Sequence, residues 1–340
     1  MGEPLTKNKK KKEVKFEIKD EYFIRNGGIL LEKQIAFSQG QNIGSGQLKI
    51  FSVKDMEKAT NCFDPDLVVK NILGTIYKGT LEGRIVAIRA PVNLAPSPGI
   101  INLFLTEASI GAVMSHNNLV KLYGCCLETC IPILVYEFLP NQGLFRHLHG
   151  GTGNANLKWS YRLEVAIDIS YALSYMHNAL SKPVVHRGLR SHIILLDDSF
   201  HAKLSNLGNS VLITPGESNQ RWPVRGVAGY IDPEYIETKE VTDKCDVYSF
   251  GVLMLELLTR RQPHVMAENG MDLVDVFLTA VRNNCMMEMI DKEILDQGSR
   301  DEIERFAHLA LKCVAKTGIE RPTMIEVVSE LWLIQGRENR

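Results

Sequence analysis

Several absences limit what this 340-residue chain can be. Its longest apolar run, near residues 250–258, is interrupted by Glu256 and is too short to span a bilayer. No internal repeat is visible, which excludes a solenoid or a propeller. The net charge is only −1, so the composition predicts no general attraction to nucleic acid. No secretory signal accompanies the seven cysteines, so we expect reduced thiols in a cytoplasmic protein rather than a disulfide framework.

Basic residues are concentrated near the N-terminus. They are Lys7, Lys9, Lys10, Lys11, Lys12 and Lys15. The pattern Met1-Gly2-x-x-x-Thr6 makes Gly2 a lipidation candidate, and the basic run would supply the second signal that anchoring needs. That interpretation predicts peripheral association with the inner face of the plasma membrane. A disordered, solvated tail over residues 1–15 is the favoured alternative on composition, and Glu3 counts against acylation.

Residues 16–50 form a more apolar extension. Asn26-Gly27-Gly28 is a turn signal. Apolar residues then follow at the spacing of a short helix: Ile29, Leu30, Leu31, Ile35 and Phe37. This patch either packs on the domain behind it or docks a partner, and both interpretations stay open.

Residues 51–63 open with a helix signal, in which Ser52 fits an N-cap and Asp55 follows three residues later. The segment resembles F-S-x-x-E-[LI]-x-x-A-T-x-x-F, the entry to plant receptor-like kinase domains. Similar matches follow as H-N-N-L-V-K-L-Y-G-C-C (116–126), G-V-A-G-Y-I-D-P-E-Y (226–235), D-K-C-D-V-Y-S-F-G (243–251) and R-P-T-M (321–324). The resemblance implies an α+β, bilobal protein-kinase-like fold. Its small β-rich N-lobe would cover 51–139 and its large helical C-lobe 140–340.

The nucleotide-binding positions depart from the kinase pattern. In G-x-G-x-x-G, Val69 and Asn71 replace the first two glycines and only Gly74 remains, so side chains should crowd the phosphates. Arg89 replaces the lysine of V-A-I-K, and its wide fork is no substitute for a compact ammonium. We predict an Arg89–Glu107 pair that holds the small lobe together. The expected cofactor is none, or a weakly bound nucleotide at Val69, Gly74, Arg89 and Glu137.

The catalytic positions depart further. In the loop H-R-D-x-x-x-x-N, Gly188 replaces the base and Ile193 replaces a magnesium ligand, and Asn206 replaces the metal-binding Asp of D-F-G. Neither Gly188 nor Ile193 can accept a proton or bind a metal, and an amide is a weak ligand for a hard dication. These changes together predict a pseudokinase with no catalytic residue and no metal site. A weak or atypical serine/threonine kinase and an ATP-gated allosteric switch are the alternatives.

The residues that the kinase pattern uses for architecture are retained. The resemblance implies that Glu234 pairs with Arg321. It also implies that Asp246 braces the loop around His186, a core histidine with no catalytic role.

A kinase fold without chemistry is most simply a binding platform. The apolar extension that begins with Asn26-Gly27-Gly28 and the altered catalytic positions together resemble the ZED-related (ZRK) pseudokinases of plants. That resemblance implies an adaptor in plant innate immunity, bound by a coiled-coil NLR immune receptor of the ZAR type. It would sense bacterial effectors, or receptor-like cytoplasmic kinases that effectors have modified. The apolar patch over 29–37 is then the candidate receptor dock.

A second candidate surface contains arginines and one indole. Arg187, Arg190, Arg221 and Arg225, with Trp222, are expected to gather around the vacated site. Arginine forks bind phosphate groups and an indole stacks on a base, so this surface could read a negatively charged modification on a partner kinase. Solvated loop charges and a packed indole explain the same residues equally well.

Overall fold

The computed structural model describes residues 5–38, 48–71, 73–141, 143–150, 157–214 and 221–336, with side chains of the first helix from residue 19 to residue 37. Contacts divide the chain into two compact units. The first comprises the described residues up to Ser115 with Val120–Phe138, and the second comprises His116–Leu119 with those from Leu139 onward. Gly2 lies outside the described residues. Within these ranges, no helix combines the length and hydropathy needed to cross a bilayer.

A six-stranded sheet is the framework of the first unit. Its strands are β1 (Lys49–Ile50), β2 (Val68–Asn71), β3 (Thr75–Leu81), β4 (Arg84–Ala90), β5 (Leu122–Cys126) and β6 (Ile133–Glu137), in the order β1-β5-β6-β4-β3-β2. The alternation of residues 84–89 predicts β4. Its register places Ala90 opposite Thr75 of β3 and Arg89 opposite Leu134 of β6. The strand therefore carries Arg89 in the middle of the sheet.

Two helices of the first unit begin at side-chain caps. In α2 (Val53–Ala59), the Ser52 hydroxyl accepts the Asp55 amide while the Asp55 carboxylate accepts the Ser52 amide, which is the predicted capping box. In α3 (Pro98–Val113), the Ser97 hydroxyl accepts the Ile100 amide. A 3-10 turn (Pro65–Leu67) leads into β2.

The N-terminal helix α1 (Leu5–Ser38) corrects two predictions. The sequence predicts a disordered tail over 1–15 and a turn at residues 26–28, whereas one helix runs from residue 5 through both glycines. Lysine has a high helix propensity, which explains why the lysine run at residues 7–15 is helical. At the glycines, the buried Asn26 side chain donates to the carbonyls of Leu127 (3.0 Å) and Thr129 (2.9 Å). Asn26 therefore anchors the helix to the β5–β6 connection instead of making a turn.

The second unit is mainly helical. Its helices are α4 (Leu144–His149), α5 (Trp159–Asn178), α6 (Pro233–Thr238), α7 (Asp243–Thr259), α8 (Pro263–Glu268), α9 (Leu273–Arg282), α10 (Met286–Met289), α11 (Lys292–Leu295), α12 (Arg300–Cys313) and α13 (Met324–Ile334). Its short strands pair as β7 (Val184–Val185) with β10 (Val211–Leu212) and β8 (Ile194–Leu196) with β9 (Ala202–Leu204). Three 3-10 turns lie at Ser191–Ile193, Leu207–Asn209 and Gly318–Glu320.

Helix α7 is the centre of the second unit. Every residue from Cys245 to Thr259 is buried, as a helix that is apolar on all sides requires. Helix α12 approaches it closely at Gly251, where an added Cβ would lie 2.7 Å from the Cys313 Cβ. The core helix is therefore enclosed along most of its length and packs closely against α12.

Candidate functional site

Arg89 and Glu107 form a buried ion pair in the first unit. Nη1 of Arg89 on β4 lies 2.7 Å from Oε2 of Glu107 on α3, and the side chains are 5% and 4% exposed. Burial alone disfavours the charged guanidinium, but the Glu107 carboxylate and the Tyr136 side chain together outweigh it and the pKa of Arg89 is raised. The predicted pair is present, and it joins helix α3 to the sheet.

Nε and the centre of the Arg89 guanidinium make further contacts, while Nη2 is buried. Its Nε donates to the Leu73 carbonyl oxygen at 3.0 Å. Its Cζ lies 4.4 Å from the centroid of the Phe104 ring, within cation–π range. Leu73 has a φ of 44°, an unfavourable left-handed conformation for leucine, which this contact helps to hold. Arg89 therefore binds the main chain of the β2–β3 turn.

The β2–β3 turn lies tightly against β4. Gly74 has a φ of +102°, and an added Cβ would lie 2.5 Å from the Ala90 carbonyl oxygen, so only glycine fits there. Val69 on β2 is 52% exposed. Glu137, at the end of β6, accepts the Lys121 amide at 2.8 Å. Three of the residues predicted to bind nucleotide weakly therefore contact other residues of the first unit: Gly74, Arg89 and Glu137.

Asp246 organises the loop around His186 in the second unit. Its carboxylate accepts the amides of His186 (2.7 Å) and Arg187 (2.9 Å) and lies 3.0 Å from Nε2 of His177. Complete burial by itself would raise the pKa of Asp246, but hydrogen bonds and charge from these partners lower it. The expected brace is present, and it keeps a carboxylate ionised in the core.

Gly188, Ile193 and Asn206 lie in one loop region of the second unit. The buried Gly188 amide donates to Nδ1 of His186 at 3.1 Å. A Cβ built at Gly188 would meet its nearest neighbour at 3.6 Å, an ordinary contact, so the backbone leaves room for a side chain. Ile193 is buried, and its carbonyl accepts the Ser205 hydroxyl at 2.6 Å. Asn206 has a φ of 65°, in the left-handed region that asparagine tolerates.

Glu256 is a buried residue whose role the sequence does not reveal. Its carboxylate accepts the hydroxyls of Tyr230 (2.6 Å) and Ser191 (2.7 Å) and lies 2.8 Å from Nε2 of His149. In the sequence it only interrupts an apolar run. The available signal is that a lone charge in a buried helix needs several hydrogen-bonding partners. Glu256 therefore links the Ser191 turn to the segment that carries Tyr230.

Arg321 forms the predicted ion pair with Glu234, but its closer partner is Asp232. Nη1 and Nη2 of Arg321 lie 2.6 and 2.8 Å from the two carboxylate oxygens of Asp232. Glu234 is 3.8 Å from Arg321 and accepts the Gly318 amide at 2.7 Å. The reason is burial. The Asp232 side chain is 2% exposed and needs a fork of donors, whereas the Glu234 side chain is 41% exposed.

The predicted docking patch divides between two faces of α1. Leu30 is buried in the core cluster shared with α3 and the sheet, so its assignment to partner binding was wrong. Exposed apolar residues lie on another face: Ile24 (73%), Leu31 (58%) and Ile35 (61%). They are spaced by seven and four residues, which places them on one stripe. Ile29 packs at the edge of the buried cluster, and Phe37 is half-buried. We call Ile24, Leu31 and Ile35 the α1 stripe.

The four arginines differ in exposure, and two of them, Arg187 and Arg225, line one small pocket beside Gly188. Arg221 and Arg225 are exposed, whereas Arg187 and Arg190 are half-buried. Burial lowers the pKa of Arg190. Trp222 is also half-buried, with its ring centroid 5.3 Å from the Arg187 Cζ. The indole is thus a packed side chain, which is one of the two interpretations that the sequence left open.

The cysteines are all free thiols. Burial raises the pKa of the Cys125 and Cys126 thiols to about 12, as expected for strand-packing residues. In the part of the chain that the structure describes, no group of three or more His, Cys, Asp or Glu side chains is arranged to hold a metal ion.

Comparison with known proteins identifies the family. The family of protein tyrosine and serine/threonine kinases matches residues 69–331, from β2 to α13. The chain belongs to the protein kinase family. It is 40% identical to wall-associated receptor kinase-like 4 of Arabidopsis thaliana over 319 residues, 93% of this chain and 41% of that protein. It is 37% identical to putative wall-associated receptor kinase-like 16 of Arabidopsis thaliana over 327 residues, 94% of this chain and 73% of that protein.

This kinase domain is of the plant receptor-like type. The first unit is its N-lobe with the curled sheet, and the second is its helical C-lobe, so the predicted α+β bilobal kinase fold is confirmed. The chain spans less than half the length of several of these relatives, including wall-associated receptor kinase-like 1 of Arabidopsis thaliana (43%).

Proposed function

We propose that this kinase domain does not transfer phosphate. The observation that carries the proposal is the residue set at the catalytic positions: Gly188 where the family motif has the base, with Ile193 and Asn206 where it has magnesium ligands. Phosphoryl transfer depends on positioning and on charge neutralisation by metal. One lost group could be compensated, whereas the joint loss of the base and both ligands removes the reaction's requirements.

Weak or absent nucleotide binding is part of the same proposal. Nη1 and Nε of Arg89 are already bound to Glu107 and to the Leu73 carbonyl, its Cζ lies against the Phe104 ring, and Nη2 is buried, so a phosphate has little access to the guanidinium. The test is a thermal shift of the full chain with and without ATP and magnesium. We expect no shift. Stabilisation without turnover would support an ATP-gated switch, and stabilisation with turnover an atypical kinase.

The function that we propose is adaptor binding in plant innate immunity, as in the ZRK pseudokinases. The partner on one side is a coiled-coil NLR receptor of the ZAR type. The α1 stripe supports this proposal, because Asn26 fixes the helix to the sheet while Leu31 and Ile35 stay exposed. An exposed apolar stripe on a fixed helix is suited to a groove in a partner.

A receptor capture assay tests the α1 stripe. Leu31→Asp with Ile35→Asp should abolish capture without unfolding the domain, since both side chains are exposed. Ala36→Asp is the matched control, because Ala36 is also exposed but follows Ile35 by one residue and lies on another helix face. Equal capture by all three proteins would rule out this dock.

The second partner is a bacterial effector or an effector-modified receptor-like cytoplasmic kinase. Arg221 and Arg225 are exposed and able to pair with a negative group on that partner. Changing both to Ala should reduce partner capture while receptor capture persists. Undiminished partner capture would exclude this surface.

We further propose that the protein acts in the cytoplasm and that the lysine run favours contact with the inner face of the plasma membrane. Mass spectrometry of the N-terminus from plant cells tests the anchor. A myristoyl group on Gly2 supports it, and an unmodified Gly2 excludes acylation.

A further inference from the structure

Arg187 connects separate segments of the C-lobe. Its Nε donates to the Asn209 carbonyl at 2.8 Å, and its Nη1 donates to the Tyr235 hydroxyl at 3.3 Å. The face of the guanidinium lies over Trp222, with 5.3 Å between Cζ and the ring centroid. Its own amide is held by Asp246 at 2.9 Å. One side chain therefore touches the Leu207–Asn209 turn, helix α6 and the segment 221–225.

The segment 221–225 has a strand-like alternation. Trp222 and Val224 pack against the apolar cluster built around Val185 and Tyr235. Arg221 and Arg225 are exposed. This alternation places apolar side chains inward and arginines outward, as a period of two requires.

The main chain of the same segment is also fixed. The Trp222 amide donates to the Lys239 carbonyl at 3.0 Å. The Tyr235 hydroxyl donates to the Pro223 carbonyl at 2.6 Å, and Arg221 forms an isolated bridge with Glu240. The Tyr235 hydroxyl thus accepts from Arg187 and donates to Pro223, so it couples the guanidinium to the segment.

We propose that Arg187 is a positioning residue that holds segment 221–225 in place through Trp222 and Tyr235, so that this segment is ordered without any phosphorylation of the chain. Each of these contacts is made by a group of the chain itself: a carbonyl, a hydroxyl and an indole ring. These contacts already orient the guanidinium, so no added phosphate is needed to hold it in place. The outward arginines are therefore presented permanently. Recognition of a partner by Arg221 and Arg225 rests on the proposed function, whereas the order of segment 221–225 does not.

Hydrogen exchange of the full chain, produced in bacteria and treated with phosphatase, tests this proposal. We expect slow exchange in peptides that cover residues 221–232, reporting the Trp222 amide. Trp222→Ala and Arg187→Lys should each accelerate that exchange at least tenfold, because lysine keeps the charge but loses the planar fork. Glu237→Ala is the matched control and should leave the exchange unchanged, since Glu237 is exposed on α6 and makes none of these contacts.

Tyr235→Phe separates local ordering from global unfolding. It removes the hydroxyl alone, so exchange should rise in 221–232 while peptides from α12 stay protected. Rapid exchange in the dephosphorylated wild type would overturn the proposal. So would unchanged exchange in Arg187→Lys and Tyr235→Phe. Failure of partner capture with normal protection would count against the proposed adaptor role and leave the ordering intact.

Discussion

The buried pair of Arg89 and Glu107 yields the most quantitative prediction. Glu107→Gln leaves a guanidinium that is 5% exposed without its counter-charge. Removing one partner of a buried ion pair costs about 3–5 kcal/mol in free energy of unfolding. Arg89→Met leaves Glu107 uncompensated and also deletes the hydrogen bond to Leu73, for which a charged donor contributes about 1.5–3 kcal/mol. We therefore expect Arg89→Met to be the more destabilising change.

A double-mutant cycle isolates the pair. Because each single change already removes the ion pair, the double variant should be less destabilised than the sum of the single changes by about 2 kcal/mol or more. Urea unfolding followed by circular dichroism measures each free energy, with and without ATP and magnesium. If the pair is purely architectural, the coupling should be the same in both conditions.

An exposed pair in the same lobe provides the control. Lys49 and Glu82 also form an ion pair, but their side chains are 49% and 65% exposed. Solvent screening should leave Glu82→Gln within about 1 kcal/mol of the wild type. The reasoning is refuted if Glu107→Gln is equally mild, or if the coupling between Arg89 and Glu107 appears only when nucleotide is present.

Three further predictions concern stability. Asp246→Asn should cost about 3–5 kcal/mol in free energy of unfolding at pH 7. Because the pKa of Asp246 is lowered in the folded state, its contribution to stability is complete above the unfolded pKa of about 3.9 and shrinks as the pH falls through the folded value. Urea unfolding should therefore show a smaller difference between the variant and the wild type at pH 3 than at pH 7. Gly188→Asp should change the unfolding free energy by less than about 1.5 kcal/mol, because its Cβ meets nothing nearer than 3.6 Å; a change above about 3 kcal/mol in the same assay would show that the space is not available. Leu30→Ala should cost about 2–5 kcal/mol and Leu31→Ala little, since only Leu30 is buried; equal melting temperatures for the two variants would contradict the assignment of their helix faces.

The kinase fold was predictable because its signals are local and repeated. The capping box at Ser52, the alternation that leads to Arg89 and the all-round apolar helix after Asp243 each determine an element from neighbouring residues alone. The pair of Arg89 and Glu107 also followed, since a motif specified both positions before any contact was known.

At three positions a distant partner decided what the local sequence could not. Asn26 followed by two glycines has the composition of a turn, but the carbonyls of the β5–β6 connection satisfy its side chain and the helix continues. The motif assigned Arg321 to Glu234, and burial of Asp232 makes that second carboxylate the closer partner. Trp222 was equally compatible with a ligand-stacking role and with packing, and only the position of Arg187 distinguishes them.

Transfer of label from γ-labelled ATP tests the central claim most directly. Purified full chain is incubated with labelled ATP and magnesium, alone and with a general protein substrate, beside Arg89→Ala as the matched variant. We expect no incorporation above background for either protein. Incorporation by the wild type that disappears in Arg89→Ala would contradict it.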